Sequence, residues 1–125
     1  EPMRELYKHE VRMVADILEI PEEMYNRQPF PGPGLAVRVI GEITKGHVQI
    51  VRDACAIVEG EIETASKEGK MEIPWQYFAA LLPTKTVGVR GDERSYQYTI
   101  TVRAIKSLDG MTASFSHIPP EVLQK

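Results

Sequence analysis

A single arginine interrupts the apolar run Leu35-Ala36-Val37-Arg38-Val39-Ile40, directly after the loop Pro29-Phe30-Pro31-Gly32-Pro33-Gly34. Proline fixes its own φ near about −65° and glycine reaches values closed to other residues, so this loop has one built shape. A strand is predicted over Leu35–Ile40, with Leu35, Val37 and Val39 on one side and Ala36, Arg38 and Ile40 on the other. That places a guanidinium on a mostly apolar surface, where it calls for an anionic partner, and its planar fork suits phosphate. Gly32 and Gly34 can bring backbone N–H groups close to the same ligand. No Lys-Ser/Thr follows the glycines, so the loop lacks the chemistry of a triphosphate-cleaving P-loop. The residues fit a nucleotide-binding cradle, and they fit a linker of the same composition equally well.

Other reactive residues form weaker patterns. Lys85, Arg90 and Arg94 lie on or beside a charged hairpin tip with Asp92 and Glu93, where the ordinary reading is solvated surface. Lys85 is the better candidate, because its neighbours from Leu81 to Val89 are otherwise apolar or small. Arg90-Gly91-Asp92 matches an adhesion tripeptide and reads as coincidence in an acidic chain. His9-Glu10 resembles the start of a zinc-binding helix, but Met13 stands where the second histidine belongs, and His47 and His117 lack partners at ligand spacing. Ser114, Ser116, His117 and Asp109 are close in sequence without a nucleophile turn. Cys55 sits on an apolar helical stripe and reads as core.

The elements that must position these residues follow from periodicity. The 125 residues suffice for one domain with a core, and 15 Lys and Arg against 18 Asp and Glu give a net charge of −3, so no global positive field draws in nucleic acid. No apolar run approaches a bilayer span, and no signal-peptide pattern opens the chain, which makes the cytoplasm the expected compartment. Both ends look cut, as in a fragment of something longer. A helix with a wide apolar side is predicted over Leu6–Ile20, ended by Pro21, with one further turn over Glu22–Asn26. Thr44 offers an N-cap for a second helix from about His47 to Lys67, stopped by Gly69. Strands are predicted over Tyr77–Leu82, Lys85–Arg90, Ser95–Ile105 and Thr112–Phe115, with a hairpin turn at Arg90–Arg94 and a helix starting at Pro119-Pro120. In the Ser95–Ile105 strand, Tyr96, Tyr98, Ile100, Val102 and Ala104 form one face, set on a core. The fold class is α+β, an antiparallel sheet with helices packed on one face.

Three stretches also carry a resemblance. Pro29 to Arg38, Leu81 to Tyr96 (LLPTKTVGVRGDERSY) and Asp109-Gly110-Met111-Thr112-Ala113 resemble, in this order, the C-terminal region of the GMP synthetase family. Glu1 to Arg12 resembles the helix that closes that family's ATP pyrophosphatase domain. The resemblance implies residues 1–28 as the end of that domain and 29–125 as a dimerisation domain that contacts xanthosine monophosphate (XMP). It implies an enzyme that adenylates XMP with Mg-ATP and displaces AMP with ammonia from glutamine hydrolysis. Arg38 would hold the XMP phosphate, Gly32, Pro33 and Gly34 would pack around the nucleotide, and Lys85 and Arg94 belong to a signature of the same site. ATP and Mg²⁺ would bind outside these residues, whose expected partners are a second protomer and a glutamine amidotransferase. The family's Ser-Gly-Gly-Val-Asp-Ser loop and Lys-Pro-Pro tail are missing, so this stretch alone is expected to be inactive. Gln28 replaces a histidine common in bacterial members. The rival reading is a free-standing protein-interaction module without a nucleotide.

Overall fold

Thr44 starts the longest helix as its spacing requires: its hydroxyl accepts the His47 backbone N–H at 3.1 Å, capping α3 (Lys45–Lys67). The computed structural model describes residues 2–25, 28, 34–107 and 111–125. Val51, Cys55, Ile62 and Ala65 recur on one face of α3 and are buried, Val51 and Cys55 in a cluster with β1 (Gln76–Arg90). β1 pairs antiparallel with β2 (Glu93–Lys106), which pairs in turn with β3 (Ser114–Phe115), giving the order β1-β2-β3. The core is Val39, Val51, Cys55 and the β1 run Phe78-Ala79-Ala80-Leu81. Leu81 and Val51 are 1% exposed, and full burial of such a side chain contributes about 1.5–3 kcal/mol. The short helix α4 (Pro120–Leu123) begins on the expected prolines and buries Val122 beside α3. The α+β class holds.

Several expected elements differ in the folded chain, among them the last strand, which spans Ser114–Phe115 and not Thr112–Phe115. The two strands expected at Tyr77–Leu82 and Lys85–Arg90 are one strand, with a register shift between Leu81 and Lys85. Pro83 is tolerated inside it because it falls in that irregularity on the sheet's outer strand. The strand expected over Leu35–Ile40 is instead a 3₁₀ helix over Leu35–Arg38, closed by Val37 N–H to Gly34 O at 3.3 Å and Val39 N–H to Ala36 O at 3.1 Å. Extended pairing survives only in a parallel bridge from Val39 to Leu81, with Ile40 N–H donating to Leu81 O. Alternating sides therefore do not apply to Arg38.

The first helix, α1 (Lys8–Ile17), is shorter than Leu6–Ile20 and is followed by the turn α2 (Glu22–Tyr25). Glu19 takes φ 55°, so that Ile20 N–H reaches Ala15 O and Glu19 N–H reaches Asp16 O, ending the helix before Pro21. Gly69, φ 72°, ends α3 through the same pair of bonds, from Lys70 to Ala65 and from Gly69 to Ser66. Of α1 only Ala15 is buried, while Tyr7, Met13 and Ile17 stand exposed. Nor is the expected core face of β2 fully covered: Tyr96, Ile100 and Val102 remain exposed.

Candidate functional site

The 3₁₀ turn brings Gly34 and Arg38 to its two ends and sends the Arg38 side chain onto α3. Arg38 Nη1 lies 3.2 Å from Glu59 Oε1 and 2.8 Å from Cys55 Sγ, and the guanidinium sits 4.9 Å from the centre of the Phe78 ring. Cys55 in turn donates its S–H to Ala79 O at 3.3 Å. The Arg38 side chain is 12% exposed, and its Nε is buried without a hydrogen-bond partner. A desolvated cation with one donor unsatisfied is costly, and such an orphan asks for an explanation. Glu59 lies one helical turn beyond Cys55, which puts a carboxylate in line with the apolar stripe.

Lys85 lies farther along the same strand edge. It follows the register shift, where a local irregularity re-aims the side chain, and its Nζ rests 4.6 Å over the centre of the Tyr98 ring. Tyr98 OH is 3.0 Å from His47 Nε2, and His47 Nδ1 is 2.7 Å from Glu42 O. The segment from Val39 to Glu42 thus runs beside β1 toward Lys85, with Gly41 (φ 109°) close against Pro83. A side chain at 41 would meet Pro83 Cβ at 3.3 Å in a backbone shape that only glycine adopts easily. Arg94 is opposite Val89 near the hairpin end, about 13 Å along the strand from Lys85 at the usual rise per residue. Arg38, Lys85 and Arg94 therefore stand in line along β1 and do not converge in one ring of charge. Gly32 and Pro33 lie outside the described residues, as do Asp109 and Gly110.

A cavity of about 520 Å³ separates the N-terminal helices from the core, lined by Arg12, Gln28, Glu63, Trp75 and Tyr77 among others. Gln28 Oε1 accepts the Tyr77 N–H at 2.9 Å across it, and Tyr77 OH donates to Glu63 at 3.3 Å. Burial, then the Glu63 charge and that hydrogen bond, push the Tyr77 phenol up to about 12. Among the described residues no cluster of His, Cys, Asp and Glu could hold a metal ion. No described helix is long and apolar enough to cross a membrane.

The fold and the site define a small α+β domain in which a helix backs a long antiparallel hairpin and the 3₁₀ turn Leu35–Arg38 lies at the hairpin's edge. Residues 62–125 match the family described as GMP synthase C terminal domain, and the chain belongs to that family. Over 124 residues it is 59% identical to a subunit of the glutamine-hydrolyzing GMP synthase of Methanopyrus kandleri, covering 99% of this chain and 40% of that protein. The corresponding subunit from Pyrococcus abyssi is 59% identical over all 125 residues, which cover 39% of it. The glutamine-hydrolyzing GMP synthase of Lactobacillus delbrueckii subsp. bulgaricus is 54% identical over the whole chain, which covers 24% of it. The chain thus spans about two fifths of the length of the Methanopyrus and Pyrococcus subunits.

Proposed function

We propose that this chain is the XMP-contacting, dimer-forming portion of a GMP synthetase. The enzyme would be a cytoplasmic ligase that converts XMP to GMP with Mg-ATP and with ammonia from glutamine. The observation that carries this reading is identity of 58–59% along the whole chain to GMP synthase subunits. Relatives that are one subunit of the synthase match more closely than the Lactobacillus protein, 59% against 54%, which supports a separate glutamine amidotransferase partner.

Residues 1–28 would close the ATP domain, where ATP and Mg²⁺ bind, and 29–125 would form the dimerisation domain. The unburied apolar side of α1 supports that division, because such a stripe needs a partner surface. At the XMP site, Arg38 would donate to the phosphate and Gly34, one tight turn away, would lie beside the nucleotide, with Gly32 and Pro33 completing the loop. The buried, unsatisfied Nε and the single acidic partner leave this guanidinium with donors to give. Lys85 and Arg94 would add positive charge along the same edge. The hairpin would pair two protomers. Val87, Val89 and Tyr96 are exposed on the face that carries Lys85, an apolar surface suited to an isologous contact.

Steady-state kinetics of the full-length protein tests the site: Arg38→Ala is expected to raise the XMP KM with little change in the ATP KM. Loss of a charged hydrogen bond of about 1.5–3 kcal/mol corresponds to roughly 10- to 150-fold. Unchanged XMP kinetics removes Arg38 from the site. Sedimentation at tens of micromolar should show a dimer, and a strict monomer contradicts the pairing role.

A further inference from the structure

Lys85 has no carboxylate paired with it among the described residues, and its ammonium rests instead over the Tyr98 ring. That ring is the end of a chain of contacts that begins at a backbone carbonyl. Glu42 O can only accept, so the His47 Nδ1 at 2.7 Å must carry the proton. A neutral ring with its proton on Nδ1 has a bare Nε2, which accepts the Tyr98 O–H at 3.0 Å. The two rings meet edge to face, 5.0 Å between centres, so the tyrosine is fixed in angle as well as position. A phenol that donates its proton to a base has an electron-richer ring, and the ammonium rests on that ring. The same histidine is pinned from behind, since its backbone N–H is bonded to the Thr44 cap of α3. Helix start, Glu42 and strand β2 are thereby locked to one lysine.

We infer that His47 is a positioning residue: through Tyr98 it fixes the Lys85 ammonium, so that the lysine presents its charge at one point to an anionic ligand. Uncoupled from His47, Tyr98 and Lys85 would each sample several rotamers, and the entropy of ordering the lysine would fall on ligand binding instead. The inference rests on the proposed XMP site for its ligand, but its geometry is independent of that ligand.

Two readouts on the full-length protein test it. In ¹H–¹³C spectra the Lys85 ε-methylene protons should lie upfield of the other lysines because of the Tyr98 ring current. In His47→Ala they should join the solvent-exposed group. Tyr98→Phe, which deletes only the hydroxyl and keeps the core filled, should shift them in the same direction. His47→Ala and Lys85→Met should each raise the XMP KM by about threefold to tenfold at unchanged kcat, and the double variant should be no worse than Lys85→Met alone. His47→Gln keeps an acceptor for the Tyr98 hydroxyl and should recover most of the loss. An unmoved Lys85 resonance in His47→Ala overturns the inference, and so do KM effects that multiply in the double variant. A resonance that moves while both variants keep the native XMP KM overturns the XMP reading of Lys85 and leaves the positioning by His47 standing.

Discussion

Helices α1 and α3 both carry an apolar stripe, yet α3 buries four residues, Val51 and Cys55 among them in the core with β1, while α1 buries Ala15 alone among its ten. Both end in the same pair of hydrogen bonds around a residue of positive φ, which is Gly69 after α3 and Glu19 after α1. The difference lies in the partner, not in the helix. An amphipathic period says that a helix needs a covering surface, but not that the surface lies in the same stretch of chain. The core region supplies its own cover, whereas the N-terminal arm is joined to it through Gln28 across an open cavity. In the proposed synthetase that arm belongs to the ATP domain, which would supply the missing cover.

The sharpest way to break this contrast is to truncate one side chain in each region. Leu81→Ala should cost about 2–5 kcal/mol by urea denaturation, whereas Ile17→Ala should stay within about 0.5 kcal/mol. Equal losses would place α1 inside the cooperative unit. Removing the carboxylate that faces Arg38, in Glu59→Ala, should cost about 1–3 kcal/mol because a nearly buried guanidinium loses its acid. Asp16→Ala, which strips the exposed Tyr25 contact in the arm, should cost no more than about 0.5 kcal/mol.

The border between the regions has its own titration. The Tyr77 phenol is held at about 12, above its ordinary 10, so the native state favours the neutral form. The contribution of this phenol to stability is undiminished below pH 10 and is lost as pH rises toward 12, and Tyr77→Phe should remove that share of the alkaline decline. Parallel melting-temperature profiles of the native and Tyr77→Phe proteins across this window would show the phenol to be free of its burial. The two helix ends offer a matched pair of backbone tests. Gly69→Ala should destabilise by about 1 kcal/mol through backbone strain alone, since no atom lies within 4 Å of the added carbon. Glu19→Gly should relieve comparable strain, up to about 1 kcal/mol, and amide exchange should show slower opening confined to α1. Slower exchange in α3 as well would join what the contrast separates.

Long, regular segments are legible from sequence. Over the 23 residues of α3, cap, stripe and glycine stop agree, and the Gly91 turn with its flanking alternation defines the hairpin. Leu35–Ile40 reads as a strand and folds otherwise because six residues cannot distinguish a strand from a tight turn, and the bonds that decide it, Val37 N–H to Gly34 O and Val39 N–H to Ala36 O, are backbone bonds with no side-chain signature. At the site, Arg38 and Lys85 stand out by composition, but their surroundings do not. Cys55 and Glu59 are 17 and 21 residues from Arg38, and His47 is 51 residues from Tyr98, separations that only the folded chain closes. Cys55 is legible as core, though not as an acceptor for a guanidinium.

In the proposed synthetase the Arg38 turn would receive the phosphate of XMP. Calorimetric titration of the full-length protein with XMP and with xanthosine, in native and Arg38→Ala forms, tests it most directly. Arg38→Ala should weaken XMP by roughly 10- to 150-fold and leave xanthosine unchanged. Equal weakening of both ligands, or of neither, would contradict it.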